Sequence, residues 1–253
     1  ITHIITALDI GGAERMLSNI VTNKNTPNKF IHSVIVITKS GNMASKLIDR
    51  GICVESLGMD NISGLPIIIY QLFIKLRKQN PDIVHTWMYH SDLMGGIAAR
   101  LAGIKNVIWS IRNTDIFSGY GISRFTYWIM KLCARLSKTI PKKIICVSET
   151  ALESHVNLGY CRNKCIKIEN GFDATYFTLK INERETIRSR LEIHENTIVV
   201  GSVARFNNYK DHNTLINAAK LMTQRYKDIL FLLVGKDTDK DSEISKIILN
   251  KGL

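Results

Sequence analysis

Two cations stand five residues apart in the stretch Ile198-Val-Val-Gly-Ser-Val-Ala-Arg205-Phe-Asn-Asn-Tyr-Lys210-Asp211. An arginine guanidinium grips a phosphate through two parallel N–H bonds, and a lysine ammonium adds a compact point charge. The apolar run before Arg205 reads as a strand, and the segment from Asp211 onward reads as the start of a helix. That layout puts both cations at the carboxyl end of a strand, where open α/β sheets bind ligands. It also turns the positive N-terminal end of the next helix into the same crevice. The chemistry served is diphosphate binding. Taken alone, the stretch also fits a solvated loop with two ordinary basic residues.

A second chemical stretch lies near the start of the chain. The apolar, β-rich run 2–8 leads into Gly11-Gly12-Ala13-Glu14-Arg15 and then a helical pattern through Met16, Leu17, Ile20 and Val21. Strand, glycine turn and helix open a phosphate-binding βα unit, because glycine lets the backbone approach a ligand closely. A simple tight turn has the same look. Neither G-x-G-x-x-G nor a Walker lysine motif is present, which argues against a dinucleotide site. His85 and His90 flank a predicted strand end and helix start; His85 reads as a core histidine, and His90 as either that or a sugar-binding residue nearer the crevice. Asp237-Thr-Asp239-Lys-Asp241 has a metal-site look, but Ser242 and Ile248 occupy the positions where an EF-hand needs Gly and Glu. It is read as a solvated loop. Cys161 and Cys165 lack a second ligand pair at zinc spacing and are read as free thiols.

Between residues 116 and 148 there is no acidic side chain. On a predicted helix over 124–138, Arg124, Lys131, Arg135 and Lys138 share one stripe. Ile129, Leu132 and Leu136 share a neighbouring stripe, with Trp128 near the boundary. An interfacial helix meets anionic lipid in this way. An amphipathic helix with its apolar stripe in the core and its basic face in water carries the same pattern.

The elements needed to position these residues follow from the remaining pattern. Seven strand-like runs, at 2–8, 32–38, 53–57, 82–87, 106–112, 143–147 and 165–169, alternate with helical segments. That rhythm predicts an α/β fold with a parallel sheet covered on both faces. The segment 173–196 breaks the rhythm and reads as a hinge between a domain over 1–172 and the start of another over 197–253. The second part holds strands at 198–204 and 229–234 with helices after each, too few for a stable sheet, so it is expected to be incomplete. The net charge of +12 favours anionic partners. No helix-turn-helix, zinc or aromatic RNA-binding motif appears, so nucleic acid is not an expected partner. Five cysteines, an odd number, fit a reducing compartment, and no apolar run is long enough to span a membrane. The chain opens inside a strand without an initiating Met, as expected of a clipped or partial sequence.

Taken in order, the motifs resemble glycosyltransferase family 4, the retaining nucleotide-sugar transferases of GT-B fold. They are Gly11-Gly12-Ala13-Glu14; Asp82-Ile-Val-His85-Thr-Trp-Met-Tyr-His90; Cys146-Val-Ser148-Glu149; Asn170-Gly171-Phe172-Asp173 leading to Phe177; Val203-Ala-Arg205 with Lys210-Asp211; and Leu233-Val-Gly235. The resemblance implies an N-terminal Rossmann-like domain on the acceptor side and a second one for the donor. Gly11 and Gly12 match the loop facing the sugar diphosphate, and Arg205 and Lys210 match the pair that neutralises the leaving diphosphate. Such enzymes need no metal, since the cations do that work. Where many relatives carry His, this chain has Arg112, followed by Asn113; arginine cannot act as a base but binds phosphate or sugar hydroxyls. With His90, these two are the expected acceptor- or sugar-binding residues. The family's glutamate pair would lie beyond residue 253, so this stretch alone is expected to be inactive.

The expected activity is transfer of a sugar, with retention, from a nucleotide sugar to a saccharide acceptor. A lipid-linked acceptor in bacterial surface polysaccharide assembly is the expected case, with the protein cytoplasmic and peripheral on the inner membrane face. The rival readings are a different nucleotide-binding α/β enzyme, such as an epimerase or dehydrogenase, and a non-catalytic membrane-docking module.

Overall fold

The computed structural model describes residues 1–253 except 10, 24–29, 39, 61–63, 115–121, 173, 179–181, 207–209 and 240, and the side chains of 176 and 177. Contacts divide the chain into two units, Ile1–Phe172 and Asp173–Leu253.

In the first unit the chain runs β1 (Thr2–Ile5), α1 (Gly12–Val21), β2 (Ser33–Thr38), α2 (Asn42–Ile48), β3 (Cys53–Met59), α3 (Leu65–Gln79) and β4 (Val84–Trp87). It continues through α4 (Tyr89–Leu101), β5 (Val107–Ile111), α5 (Arg124–Leu136), β6 (Lys143–Cys146), α6 (Glu149–Leu158) and β7 (Cys165–Lys167). The seven strands form one parallel sheet in the order β3-β2-β1-β4-β5-β6-β7. The chain therefore builds outward from β1 in one direction and from β4 in the other. The switch between β1 and β4 opens a crevice at their carboxyl ends, where doubly wound sheets bind ligands.

Register decides which side chains share a face. His3 pairs with His85, Ile5 with Trp87, and Trp87 with Ser110, so these five lie on one face. Ile4, Thr86 and Trp109 lie on the other. Each face has its own buried cluster. One gathers Ile5, Leu8, Leu17, Val36, Leu47 and Trp87; the larger packs Ile4, Leu72, Met94, Trp109, Ile129 and Ile144. Helix α4 lies closest to the sheet because Gly95 and Gly96 carry no Cβ. One added at Gly95 would stand 2.9 Å from Ile4 Cδ1, and one at Gly96 would stand 2.8 Å from Ile140 Cγ2. Local chemistry sets several ends: the Ser148 hydroxyl accepts from Ala151 N at 3.0 Å to start α6, and Gly159, at φ 111°, closes it.

Several boundaries differ from the sequence reading. Strand β1 stops at Ile5, and Leu8 is buried outside it. Helix α5 ends at Leu136, because Ile140 folds back into the core and its N–H bonds Leu136 O at 2.9 Å. Lys138 therefore lies in the turn beyond the helix and not on its stripe. The buried stripe of α5 is Ile129, Met130, Cys133 and Ala134, while Leu132 and Leu136 are half-buried at its margin.

In the second unit, a 3-10 turn (Ala174–Phe177) and the exposed α7 (Glu183–Arg190) precede β8 (Ile198–Val203), α8 (His212–Arg225), β9 (Ile229–Val234) and α9 (Glu243–Asn250). Strands β8 and β9 are parallel and paired along their whole length. Val203 and Ile198 remain 85% and 62% exposed, so this two-stranded sheet is an incomplete Rossmann-like unit.

Candidate functional site

The carboxyl edge at the β1/β4 switch carries the glycine turn on one side and the start of α4 on the other. Gly11 is the extended residue before α1, with no capping side chain. The Glu14 carboxylate occupies the place a Gly11 Cβ would need, whereas nothing lies within 4 Å of a Cβ on Gly12. A side chain at Gly11 would displace the Glu14 carboxylate. Gly12 leaves open space at the positive end of a ten-residue helix.

Across the switch, β4 hands over to α4 through Met88, at φ 70° and ψ 161°. Only glycine occupies that region readily, and such strain gathers at functional sites. Met88 is held by its own N–H on Ser110 O at 3.0 Å and by Asp92 N on its carbonyl at 2.9 Å. His90 follows as the second residue of α4. Its Nε2 is buried with no partner among the described residues, burial lowers its pKa, and its ring lies 6.1 Å from that of Phe125 on α5. Asp92, also fully buried, accepts from Thr86 Oγ1 at 2.5 Å, and burial holds its carboxyl well above the usual range.

Arg112 follows β5 directly and is half-buried. Its Nε donates to Ser110 Oγ at 3.0 Å, its Nη1 donates to Asn170 Oδ1 at 2.6 Å, and its Cζ lies 4.8 Å from the centre of the Trp87 ring. Two hydrogen bonds and a ring face fix the guanidinium, while Nη2 has no partner among the described residues. This edge suits a phosphate or vicinal hydroxyls. Burial lowers the Arg112 pKa, and an arginine does not serve as a general base in proteins. His85, beneath it, is pushed down to about 3 by burial, with Arg112 and His32 adding to the effect, so it is neutral at ordinary pH. Its Nε2 has no partner among the described residues, which corrects the expectation of a core histidine with its bonds satisfied.

Among the expected site residues, then, Gly11, Gly12, His90, Arg112 and Asn113 all follow strands at the carboxyl edge of one sheet. Asn113, next to Arg112, is half-buried. Two residues that had been assigned no role, Trp87 and Asn170, hold Arg112. Asn170 belongs to a recognised motif, and that was the available signal. Trp87 likewise lies in the Asp82–His90 motif, but its contact with Arg112 follows only from the register.

Arg205 and Lys210 belong to the second unit. Both are exposed, Arg205 just past β8 and Lys210 just before α8; the loop 207–209 between them lies outside the described residues. Asp211 caps α8, its Oδ1 accepting from Thr214 N at 3.3 Å, and buried His212 packs 5.5 Å from the Phe206 ring. Gly235 has a steric reason, since its missing Cβ would fall on the Ala204 carbonyl. The ends of β8 and β9 thereby draw together, with Phe206 N bonded to Lys236 O at 3.0 Å. Of the Asp237–Asp241 run, Lys240 lies outside the described residues; among those described, no group of three or more His, Cys, Asp or Glu could hold a metal. Five free cysteines include Cys161 and Cys165.

On α5, Arg124, Phe125, Tyr127, Trp128, Lys131 and Arg135 are exposed together. Phe125 stacks with Trp128 at 6.5 Å, and Lys131 Nζ lies 5.7 Å from the Tyr127 ring. The outward face is thus aromatic as well as basic, which the stripe count had missed. No helix among the described residues is long and apolar enough to cross a membrane.

One complete Rossmann-like unit followed by the start of another defines a GT-B type architecture. The family model Glycosyltransferase Family 4 matches residues 10–176, and the model Glycosyl transferases group 1 matches 183–253. The chain belongs to Glycosyltransferase Family 4. It is 27% identical over 217 residues to the Escherichia coli UDP-Gal:alpha-D-GlcNAc-diphosphoundecaprenol alpha-1,3-galactosyltransferase, covering 83% of this chain and 55% of that protein. The chain thus spans about half the length of that curated relative. Among solved structures, Anabaena Alr3699/HepE in complex with UDP superposes with a TM-score of 0.80 at 20% identity, covering 100% of this chain and 66% of that one. The lipopolysaccharide outer core galactosyltransferase WaaB gives 0.61 at 14%, covering 99% and 66%. These structural likenesses establish the fold.

Proposed function

We propose that this chain is the larger part of a glycosyltransferase that moves a hexosyl-type sugar, with retention, from a nucleotide sugar to a lipid-linked saccharide. The observation that carries the reading is the two family models matched in order along one chain, with Arg205 and Lys210 at the strand end and helix start of the second. The name of the Escherichia coli relative, a UDP-galactose transferase acting on a diphosphoundecaprenol saccharide, supports that choice of donor and acceptor class. Arg205 and Lys210 would stabilise the diphosphate as it leaves C1 of the donor sugar, so no metal is required. Gly11 and Gly12 would let backbone N–H groups approach an anionic group of the substrate. Arg112, Asn113 and His90 would hold the acceptor or the transferred sugar. The acceptor hydroxyl then attacks C1 from the face the diphosphate leaves.

The test is transfer by the full-length protein from UDP-, GDP- and ADP-linked hexoses to a short-chain lipid-diphosphate saccharide, with and without EDTA. An α-linked product from an α-linked donor, formed equally with EDTA, fits the proposal. An inverted product or abolition by EDTA contradicts it.

The exposed aromatic and basic face of α5 favours a cytoplasmic protein that docks on anionic lipid, with Arg124, Trp128, Lys131 and Arg135 facing the membrane and Lys138 adding charge just past the helix. Flotation with anionic liposomes should fall on Lys131→Glu/Arg135→Glu. Binding indifferent to both that change and lipid charge refutes it.

A further inference from the structure

Behind Arg112 runs a chain of hydrogen bonds that ends far from the strand edge it serves. The indole N–H of Trp87, whose face carries the guanidinium, donates to His3 Nδ1 at 3.3 Å, and His3 Nε2 lies 2.9 Å from His32 Nδ1. An indole nitrogen only donates, so His3 Nδ1 must accept and the His3 proton sits on Nε2. That N–H donates to His32 Nδ1, which leaves the remaining His32 proton on Nε2. One donor at one end therefore fixes both tautomers. The rings reinforce the order: His3 stacks on His32 at 5.2 Å, and His85 lies 5.2 Å from His3 and 4.7 Å from Trp87. Trp87 and His3 are buried, while His32, just before β2, is half-buried. A leucine or phenylalanine at position 3 would fill this space without a partner. Instead β1, β4 and the residue just before β2 contribute polar rings, and the hydrogen bonds joining Trp87, His3 and His32 form in one arrangement only.

We propose that His32 and His3 are positioning residues for Arg112, acting through Trp87 to hold the guanidinium in the orientation that presents its Nη2 edge to an anionic ligand. The proposal rests on reading Arg112 as a substrate-binding residue. A tilt of the indole moves the platform under the guanidinium, whereas Ser110 and Asn170 bond only its Nε and Nη1. Orientation of the third nitrogen depends on the ring.

The experiment uses the full-length protein, labelled with nitrogen-15, and inorganic pyrophosphate as the probe. Long-range proton–nitrogen spectra should show His3 as the Nε2–H tautomer in the unmodified protein. A His3 Nδ1–H tautomer overturns the proposal and needs no variant that might misfold. His32→Leu removes the last acceptor; the Trp87 indole and Arg112 Nε–H signals should both move, and pyrophosphate affinity read at Arg112 should weaken about threefold, the loss of one net hydrogen bond's worth of order. His32→Gln, whose amide oxygen still accepts, should restore both. Unchanged Arg112 signals and affinity in His32→Leu overturn the relay and leave the substrate reading standing. Full transfer activity in Arg112→Ala sinks the substrate reading instead, whatever the His32 signals do.

Discussion

Replacing His85 by phenylalanine should remove a large part of the acid sensitivity of the first unit. His85 is buried, its Nε2 has no partner among the described residues, and its pKa falls from 6.5 to about 3, chiefly through burial, with Arg112 and His32 adding. The sign follows from the depressed folded value. At pH 7 and above the imidazole is neutral in both states and contributes no pH dependence. As pH falls below 6.5 the unfolded chain takes up a proton that the folded protein refuses, so stability is lost down to about pH 3. Between pH 7 and pH 5, linkage gives a loss of about 2 kcal/mol from this residue. Phenylalanine keeps a ring between His3 and Trp87 and cannot titrate. His3, His32, His90 and His155 also have lowered values, and the raised Asp92 acts in the opposite sense, but these remain in both proteins. Urea unfolding followed by tryptophan fluorescence is a clean assay, because all three tryptophans lie in the first unit. His85→Phe should lose about 2 kcal/mol less than the unmodified protein between the two pH values. Parallel losses would refute the reasoning.

Three further expectations follow from the geometry. Glycine is ordinarily less stable than alanine at a structured position, but at Met88 the order should reverse: Met88→Gly should exceed Met88→Ala by about 1–2 kcal/mol in urea unfolding, because the backbone there is one only glycine adopts readily. Gly96→Ala should destabilise the first unit by about 1–3 kcal/mol, its methyl meeting Ile140 and Trp109 under α4. Ser148→Ala should cost about 1 kcal/mol by removing the cap of α6, and Ser148→Gly much less.

Much of the fold was legible because its signals are local. Apolar runs such as Lys143–Cys146 between capped helices specify buried parallel strands, and the alternation alone gave the α/β class. The incomplete second unit was legible for the same reason. The end of α5 was not, because it depends on Ile140 returning to a core built from distant elements. The surroundings of Arg112 were hidden in the same way. Trp87, Asn170, His3 and His32 come from different strands and loops, and only the register of β1 with β4 and β4 with β5 brings them together. Sequence placed Arg205 and Lys210 beside a strand end because strand, loop and helix there are contiguous.

In the proposed function, Arg205 and Lys210 hold the diphosphate of a nucleotide-sugar donor. Calorimetric titration of the full-length protein with UDP, GDP, ADP and NAD, beside the Arg205→Ala/Lys210→Ala variant, tests it most directly. One nucleoside diphosphate should bind, NAD should not, and the variant should lose at least tenfold in affinity, about 1.4 kcal/mol or more. Equal binding by both proteins, or preference for NAD, would contradict it.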